Sequence, residues 1–389
     1  MPHEIDGEVH WHEPAGLSPA GLRRYRAPSS PHDRFAEAEG LDILRAVTVA
    51  DLREVPLKPW RRLGARGAFL QLFGTEGTLG QSLLEIPASG ATRAERHLCD
   101  EVILALTGSG TTELVGQDGK RVFEWQEGAL FAIPRNATHR LINATDKPAL
   151  LLCLNTLPAV IDLLGDADAV FANPLVALLD DEPGQAFDGI EPDPVQGLAL
   201  CRTGLLPDVI NCDLPLDNRA SPAHRALDLG MTGPGMQVSM GEHRPGRYGR
   251  ARLVEPGQVV ICLRGGGEIL MWPESAGPHP AAEQTMRIAQ RGGVITGLGE
   301  GGGRWFVQEF TFSPVAMRHL QIRRTPISHA IPGSERKDAL TTAWDEGGAI
   351  IPYWREAPHI RTEFDAALAA RGVANRMRET DFQESPEDE

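Results

Sequence analysis

No apolar run in this chain of 389 residues approaches the roughly 20 residues that a bilayer-crossing helix requires; "ALLLCL" is among the longest. A membrane-spanning helix is therefore not expected. The first residues, "MPHEIDGEVHWHEP", are polar and acidic and lack the apolar stretch of a signal peptide. Cysteine is scarce as well. The five present (Cys99, Cys153, Cys201, Cys212 and Cys262) are odd in number and form no C-x-x-C pair, which reduced thiols in a soluble, cytoplasmic protein explain better than a disulfide framework. Positive charge is also short. Lys and Arg total 38 against 53 Asp and Glu, a formal net charge of −15. Such a chain repels phosphate backbones and anionic lipid, so neither nucleic acid nor a membrane surface is an expected partner. The acidic ending "ETDFQESPEDE" predicts a solvated, disordered tail.

Turn residues are plentiful: 42 Gly and 30 Pro break the chain into short segments. Most of these segments read as strands: "GAFLQLFG", "QSLLEIPA", "DEVILALTG", "GTTELVG", "ALFAIP" and "ALLLCLNT" in a first set, then "MQVSMGE", "GQVVICLRGGGEILMW", "GGVITGLG", "WFVQEFTF" and "HLQIRRT" after residue 235. Short apolar or alternating runs between turn signals predict barrels or sandwiches. A Pro- and Asp-rich passage separates the sets and offers one helix, "LPAVIDLLGDADAVFA". Two further helices are expected at the flanks. One is "VTVADLREV" with Thr48 as its cap; the other is "HIRTEFDAALAARGV", with Ile360, Phe364 and Leu368 on one face and Gly372 as a stop. The expected organisation is an arm and helix over 1–64, a β domain over 65–155, a linker with a helix over 156–235, a second β domain over 236–325, and a C-terminal helix with an acidic tail over 326–389.

Two segments of the first β domain carry the chemistry. In "RAERHLCDEVILALTGSG", His97 and Glu101 stand four apart, Gly108 follows seven positions later, and Glu95 lies two before His97. In "GALFAIPRNATHRLIN", Gly128, Pro134, Asn136, His139 and Asn143 follow in fixed spacing. Together these segments resemble the two-part signature of the cupin superfamily, with Asn136 at a turn position where Asn tolerates a left-handed backbone. The resemblance implies an all-β protein of two tandem double-stranded β-helix (cupin) barrels with a few peripheral helices. It also implies a metal held by up to four residues, which by position are Glu95 (in place of the family's first histidine), His97, Glu101 and His139.

Residue chemistry supports that reading. Positions 95, 97, 99 and 101 share one parity, so in extended chain their side chains share one face. Two imidazoles with one or two carboxylates suit Fe(II), Mn, Ni, Co or Zn, and two His with one carboxylate and open positions is the usual non-haem iron arrangement. Glu95 is expected to ligate, to hold a bound water, or to pair with Arg93 or Arg96. Cys99 is read as a small buried hydrophobe. Arg93 has the site-facing parity and is the candidate partner of a substrate carboxylate, set against its reading as a surface arginine.

The second β domain is expected to lack a site. Aligning Gly265 with Gly108 places Arg252, Val254 and Gln258 where ligands would stand, and the later histidine falls on Gly303 or Arg304. The glycine runs 265–267 and 301–303 read as barrel corners, and "HWH" (His10, His12) as surface. The whole resembles bicupins similar to gentisate 1,2-dioxygenase, although the ring-cleaving members use three histidines. The leading expectation is thus an Fe(II) dioxygenase acting on a small carboxylated or aromatic substrate, with Glu95 and Glu101 as catalytic carboxylates and one transition metal per chain. The rivals are a non-redox lyase or isomerase, in which Zn, Ni or Mn acts as Lewis acid, and a small-molecule-binding cupin without catalysis. Exposed strand edges need covering, so a homodimer or higher homo-oligomer is expected.

Overall fold

A computed structural model describes residues 30–174, 199–218, 221–231, 235–299, 303–324 and 341–383, together with the backbone of short strands at His3–Ile5, Glu8–His10 and Ile190–Pro192. The pair His10 and His12, Gly301 and Gly302, and the end of the acidic tail fall outside the residues whose side chains are described.

Two β barrels are built in tandem. Among the described residues the strands of each divide into a large sheet and a smaller one: eight and three in the first barrel, eight and five in the second. At the centre of the first large sheet, Glu101–Thr107 lies between Leu130–Ile133 and Ala149–Asn155, antiparallel to both. In the second, Gln258–Arg264 lies in the same way between Ile295–Leu298 and Met317–Arg324. These central strands are apolar on both faces, and the period of two explains why. In Glu101–Thr107 the even positions Val102, Leu104 and Leu106 join one hydrophobic cluster, whereas Ile103 and Ala105 join another. The even-numbered set meets Leu227, Val238, Met240, Val259, Ile261 and Leu320 of the other large sheet, so the two sheets pack face to face between the barrels. The odd-numbered set fills the interior of the first barrel and aims Glu101 into it.

Flanking segments cross these boundaries. Ile43–Ala46 pairs with Ala65–Leu72 of the first barrel, but Thr48–Val49 pairs with Ile295–Leu298 of the second. Leu205–Leu206, from the passage between the domains, pairs with Leu130–Ile133 of the first.

"VTVADLREV" is not a helix. Thr48 lies in that short strand, and Asp51 caps a single 3-10 turn, Leu52–Glu54. The apolar spacing there serves the cleft between barrels, which takes up Val49 and Leu52. The interdomain helix is split into Leu157–Leu164 and Ala167–Phe171 by Gly165 in a left-handed conformation. Pro31–Glu39, capped by Ser30 and packed through Phe35 and Ala36, is a further helix that the apolar pattern did not announce. The C-terminal helix Pro358–Arg371 buries Ile360, Phe364 and Leu368 against the outside of the second barrel and ends at Gly372. Part of the acidic ending is ordered: Glu379–Phe382 forms a 3-10 turn that buries Asp381. Among the described residues no helix is long and apolar enough to cross a membrane, and all five cysteines are free.

Candidate metal centre

The backbone brings the two sequence segments together before any side chain does. Glu95 and His139 pair through both backbone bonds, Glu95 N–H to His139 O at 3.0 Å and His139 N–H to Glu95 O at 2.8 Å. Asn136, at φ 60°, makes the left-handed turn and donates its N–H to His97 O at 2.7 Å. Asn143 secures the following turn, its Nδ2 donating to Ile86 O, Pro87 O and Lys147 O. His97, Glu101 and His139 thus meet inside the first barrel with all three ligand atoms within 4.8 Å of one another. They are 4%, 6% and 2% exposed, so a charge there cannot rely on solvent.

Each histidine turns its Nδ1 to a backbone carbonyl and its Nε2 toward a site carboxylate. His97 Nδ1 lies 3.2 Å from Cys99 O and His139 Nδ1 lies 3.3 Å from Ala137 O, so with the N–H on Nδ1 each ring would offer Nε2 to a metal. Asn155 Nδ2 donates to Glu101 Oε1 at 3.1 Å, and Glu101 Oε2 faces His97 Nε2 at 3.2 Å. One carboxylate oxygen is therefore anchored and the other is presented. This donor set fits a divalent transition metal.

Glu95 sits at the edge of this group. Its Oε1 is 3.5 Å from His139 Nε2, and its other oxygen is bound by Arg62, whose Nε also pairs with Glu39 at 3.1 Å. Neither Arg93 nor Arg96 plays that part. Arg93 is exposed beside Gly64, away from the cavity, and Arg96 is turned to Asn173 O. Arg62 lay outside the motif and gave no sequence signal; it is stacked over Phe171, 4.5 Å from the ring centre. Burial acts to raise both site carboxyls. It is outweighed at Glu95 by the hydrogen bond to His139 and the Arg62 guanidinium, and at Glu101 by His97, so both stay ionised below the usual range. Cys99, with Sγ 3.1 Å from His97 Nδ1, is buried and its thiol is pushed up by that burial. The cavity around the group is small, about 30 Å³, and is walled by Trp60, Phe69, Leu84, Ile103, Leu157 and Phe171 as well as the polar residues.

The second barrel departs from expectation. His243, Glu309 and His319 also come together with ligand atoms within 4.8 Å, so this barrel does not lack a ligand set. Alignment through Gly265 missed it because these residues do not occupy the signature positions. Strand register matches His97 and Glu101 with Val254 and Gln258 and moves the later histidine's counterpart to Val307, not to Gly303 or Arg304. Arg304 is bound to Glu274 on the surface. Burial, opposed by Glu309 and helped by His243 and Arg252, pushes His319 down to about 4, while His319 and His243 outweigh burial at Glu309 and hold its carboxyl well below its usual range.

Residues 82–155 match the profile of the cupin domain family. Structural likenesses of this chain include salicylate 1,2-dioxygenase from Pseudaminobacter salicylatoxidans (16% identity, 66% of this chain and 73% of that one, TM-score 0.45), oxalate decarboxylase from Lactobacillus farciminis (9%, 72% and 86%, TM-score 0.45) and vicilin from Corylus avellana (12%, 72% and 85%, TM-score 0.44). No curated protein sequence matches the chain. The first barrel is a cupin domain. With the second barrel repeating its strand order, the protein is a bicupin of the cupin superfamily.

Proposed function

We propose that this bicupin is a metal-dependent enzyme whose first barrel works as an Fe(II) dioxygenase on a small carboxylated substrate. The observation that carries the reading is the buried His97–Glu101–His139 group, two imidazoles and one carboxylate facing a common point. A ferrous ion held there would supply redox chemistry toward O₂ and a Lewis-acid contact for the substrate. The chain's own residues do the rest. Asn155 fixes Glu101, and the two backbone carbonyls can receive the histidine Nδ1–H groups and so orient the rings. Trp60, Phe69, Phe171 and Leu157 exclude water, and Arg62 keeps Glu95 ionised beside the reacting space, where it can take a proton from a bound substrate. A cavity of about 30 Å³ has room for one or two waters and favours a short acid over an aromatic ring.

The second reading is a non-redox lyase or isomerase with Zn, Ni or Mn, and Glu95 is the observation that favours it: an ionised base 3.5 Å from a ligand histidine serves proton transfer with or without oxygen. The test is turnover of a panel of short hydroxy and keto acids and hydroxylated aromatic acids by ferrous-reconstituted protein, in air and under nitrogen. Oxygen uptake matched to substrate loss, abolished under nitrogen, is the expected result. Equal turnover under nitrogen overturns the oxygenase reading in favour of the lyase, and protein that takes up no metal removes both. Cytoplasmic residence belongs to the same proposal, supported by the free thiols, and so does a homo-oligomeric state, supported by strand edges that need covering.

A further inference from the structure

The polar cluster of the second barrel stands at a different level from the first. In the first barrel Leu141 lies opposite Thr112 and Asn143 opposite Gly110; in the second, Glu309 lies opposite Ile269 and Thr311 opposite Gly267. With Gly110 and Gly267 as equivalent points, Glu309 takes the place of Leu141. On the neighbouring sheet Leu152 pairs with Leu104 and Leu320 with Ile261, so His319 takes the place of Leu151. His243, opposite Met317, takes the place of Ile86, opposite Ala149. Ile86, Leu141 and Leu151 are part of the apolar filling of the first barrel. Conversely, Val254 and Val307, at the levels of His97 and His139, belong to an apolar cluster of the second. Gln258, at the level of Glu101, is tied off by Gln321 Nε2 at 2.5 Å. The two barrels have exchanged the places of polar and apolar filling, and the second cluster lies two to four residues along its strands, roughly 7–13 Å, from the level of the first.

Its side chains are arranged as ligands. Glu309 Oε2 lies 2.8 Å from His243 Nε2 and 3.6 Å from His319 Nδ1, so three donor atoms face one space. His319 Nδ1 is buried without a hydrogen bond, an arrangement that is costly unless a ligand or water compensates, and Glu309 Oε1 makes no hydrogen bond either. Arg252 Nη2 approaches Glu309 Oε1 at 3.5 Å and is itself held by Gln321 Oε1 at 3.2 Å. One oxygen is thus turned to a partner and the other to the histidines, as Asn155 does for Glu101 in the first barrel. Glycine makes the room. A Cβ at Gly241 would stand 2.4 Å from His319 Nε2 and one at Gly249 3.0 Å from His243 Cε1. His224 closes the group, its ring 4.6 Å from that of His243.

We propose that His243, Glu309 and His319 form a second divalent-metal centre, set in the C-terminal barrel at a level that the first barrel fills with apolar side chains. Its nitrogen and oxygen donors suit Zn(II), Fe(II), Co(II) or Mn(II). The proposal does not depend on the chemistry assigned to the first barrel.

The experiment is metal stoichiometry. Full-length protein is stripped with chelator, loaded with Zn(II), desalted and analysed for metal, and its affinity is measured by calorimetry. Wild type is expected to hold two ions per chain. His97→Gln/His139→Gln and His243→Gln/His319→Gln are each expected to hold one, and the quadruple variant none. The isosteric Glu309→Gln should weaken one of the two binding events by at least about 100-fold, beyond the loss typical of an outer partner. Should the double variants fail to fold, Glu309→Gln and Glu101→Gln give the same division. Cu(II) loaded into Glu101→Gln protein should show electron-resonance couplings to nitrogens that are altered by His243→Gln. Wild-type metal that is lost entirely with His97→Gln/His139→Gln overturns the proposal, as does metal whose amount is unchanged by every second-barrel substitution.

Discussion

Glu356→Gln isolates one buried proton. Glu356 is 8% exposed and lies just before the C-terminal helix, accepting hydrogen bonds from the Tyr248 hydroxyl and from Gln308 Nε2 at 3.0 Å. Burial raises its carboxyl to about 7, against a starting value of 4.5, and the two hydrogen bonds recover only part of the cost. The sign follows from linkage. Between 4.5 and 7 the unfolded chain has released this proton and the folded chain retains it, so folding stability falls as pH rises through that window and is level above it. Moving the carboxyl from 4.5 to about 7 corresponds to about 3 kcal/mol in all, of which about 2.5 kcal/mol is lost between pH 5 and pH 8. Glutamine has no such proton, and its amide oxygen can still accept from the Tyr248 hydroxyl. Urea unfolding of wild type and Glu356→Gln in chelator, at pH 5 and pH 8, measures the difference. The variant should gain on wild type by about 2.5 kcal/mol across that range. Parallel curves for the two proteins would refute the reasoning, because they would place the Glu356 proton elsewhere or show the carboxyl ionised at both pH values.

Other consequences are as direct. Glu101→Gln should lower metal affinity at the first centre by more than about 100-fold, whereas Glu95→Gln, turned to Arg62, should change it by about tenfold or less while altering turnover; calorimetry gives both, and the reverse order would make Glu95 the ligand. A double-mutant cycle on Arg62→Met and Glu95→Gln should show a coupling of about 1–2 kcal/mol in thermal unfolding, reduced from the fully buried case because the Arg62 side chain is 28% exposed. Gly267→Ala should destabilise by about 3 kcal/mol or more, since a Cβ there would lie 1.7 Å from Phe310 O; an unchanged melting temperature would mean the strands are not that close. Light scattering at micromolar concentration should return a dimer or larger, and a monomer would count against assembly through the strand edges.

The sequence by itself determined the elements that depend on local spacing. Runs such as "DEVILALTG" and "WFVQEFTF" became strands because turn residues bound them and nothing in them favours a helix. His97, Glu101 and His139 were legible because motif glycines, asparagines and proline set the turns that bring them together, and Asn136 does hold the left-handed backbone its position requires. Pro358–Arg371 was legible from its 3.6-residue period. The tertiary structure decided what depends on register between distant strands. It turned "VTVADLREV" away from helix, because pairing with Ile295–Leu298 and burial between the barrels outweigh a short apolar spacing. It chose Arg62 over Arg93 as the partner of Glu95, since the loop carrying Arg62 packs against the barrel mouth while Arg93 faces outward. It also assembled His243, Glu309 and His319 from three strands with no shared motif. Along one strand, parity says only that a side chain points inward; which inward-pointing side chains meet at one level is fixed by how the strands slide past one another, and that register is set by contacts across the whole barrel.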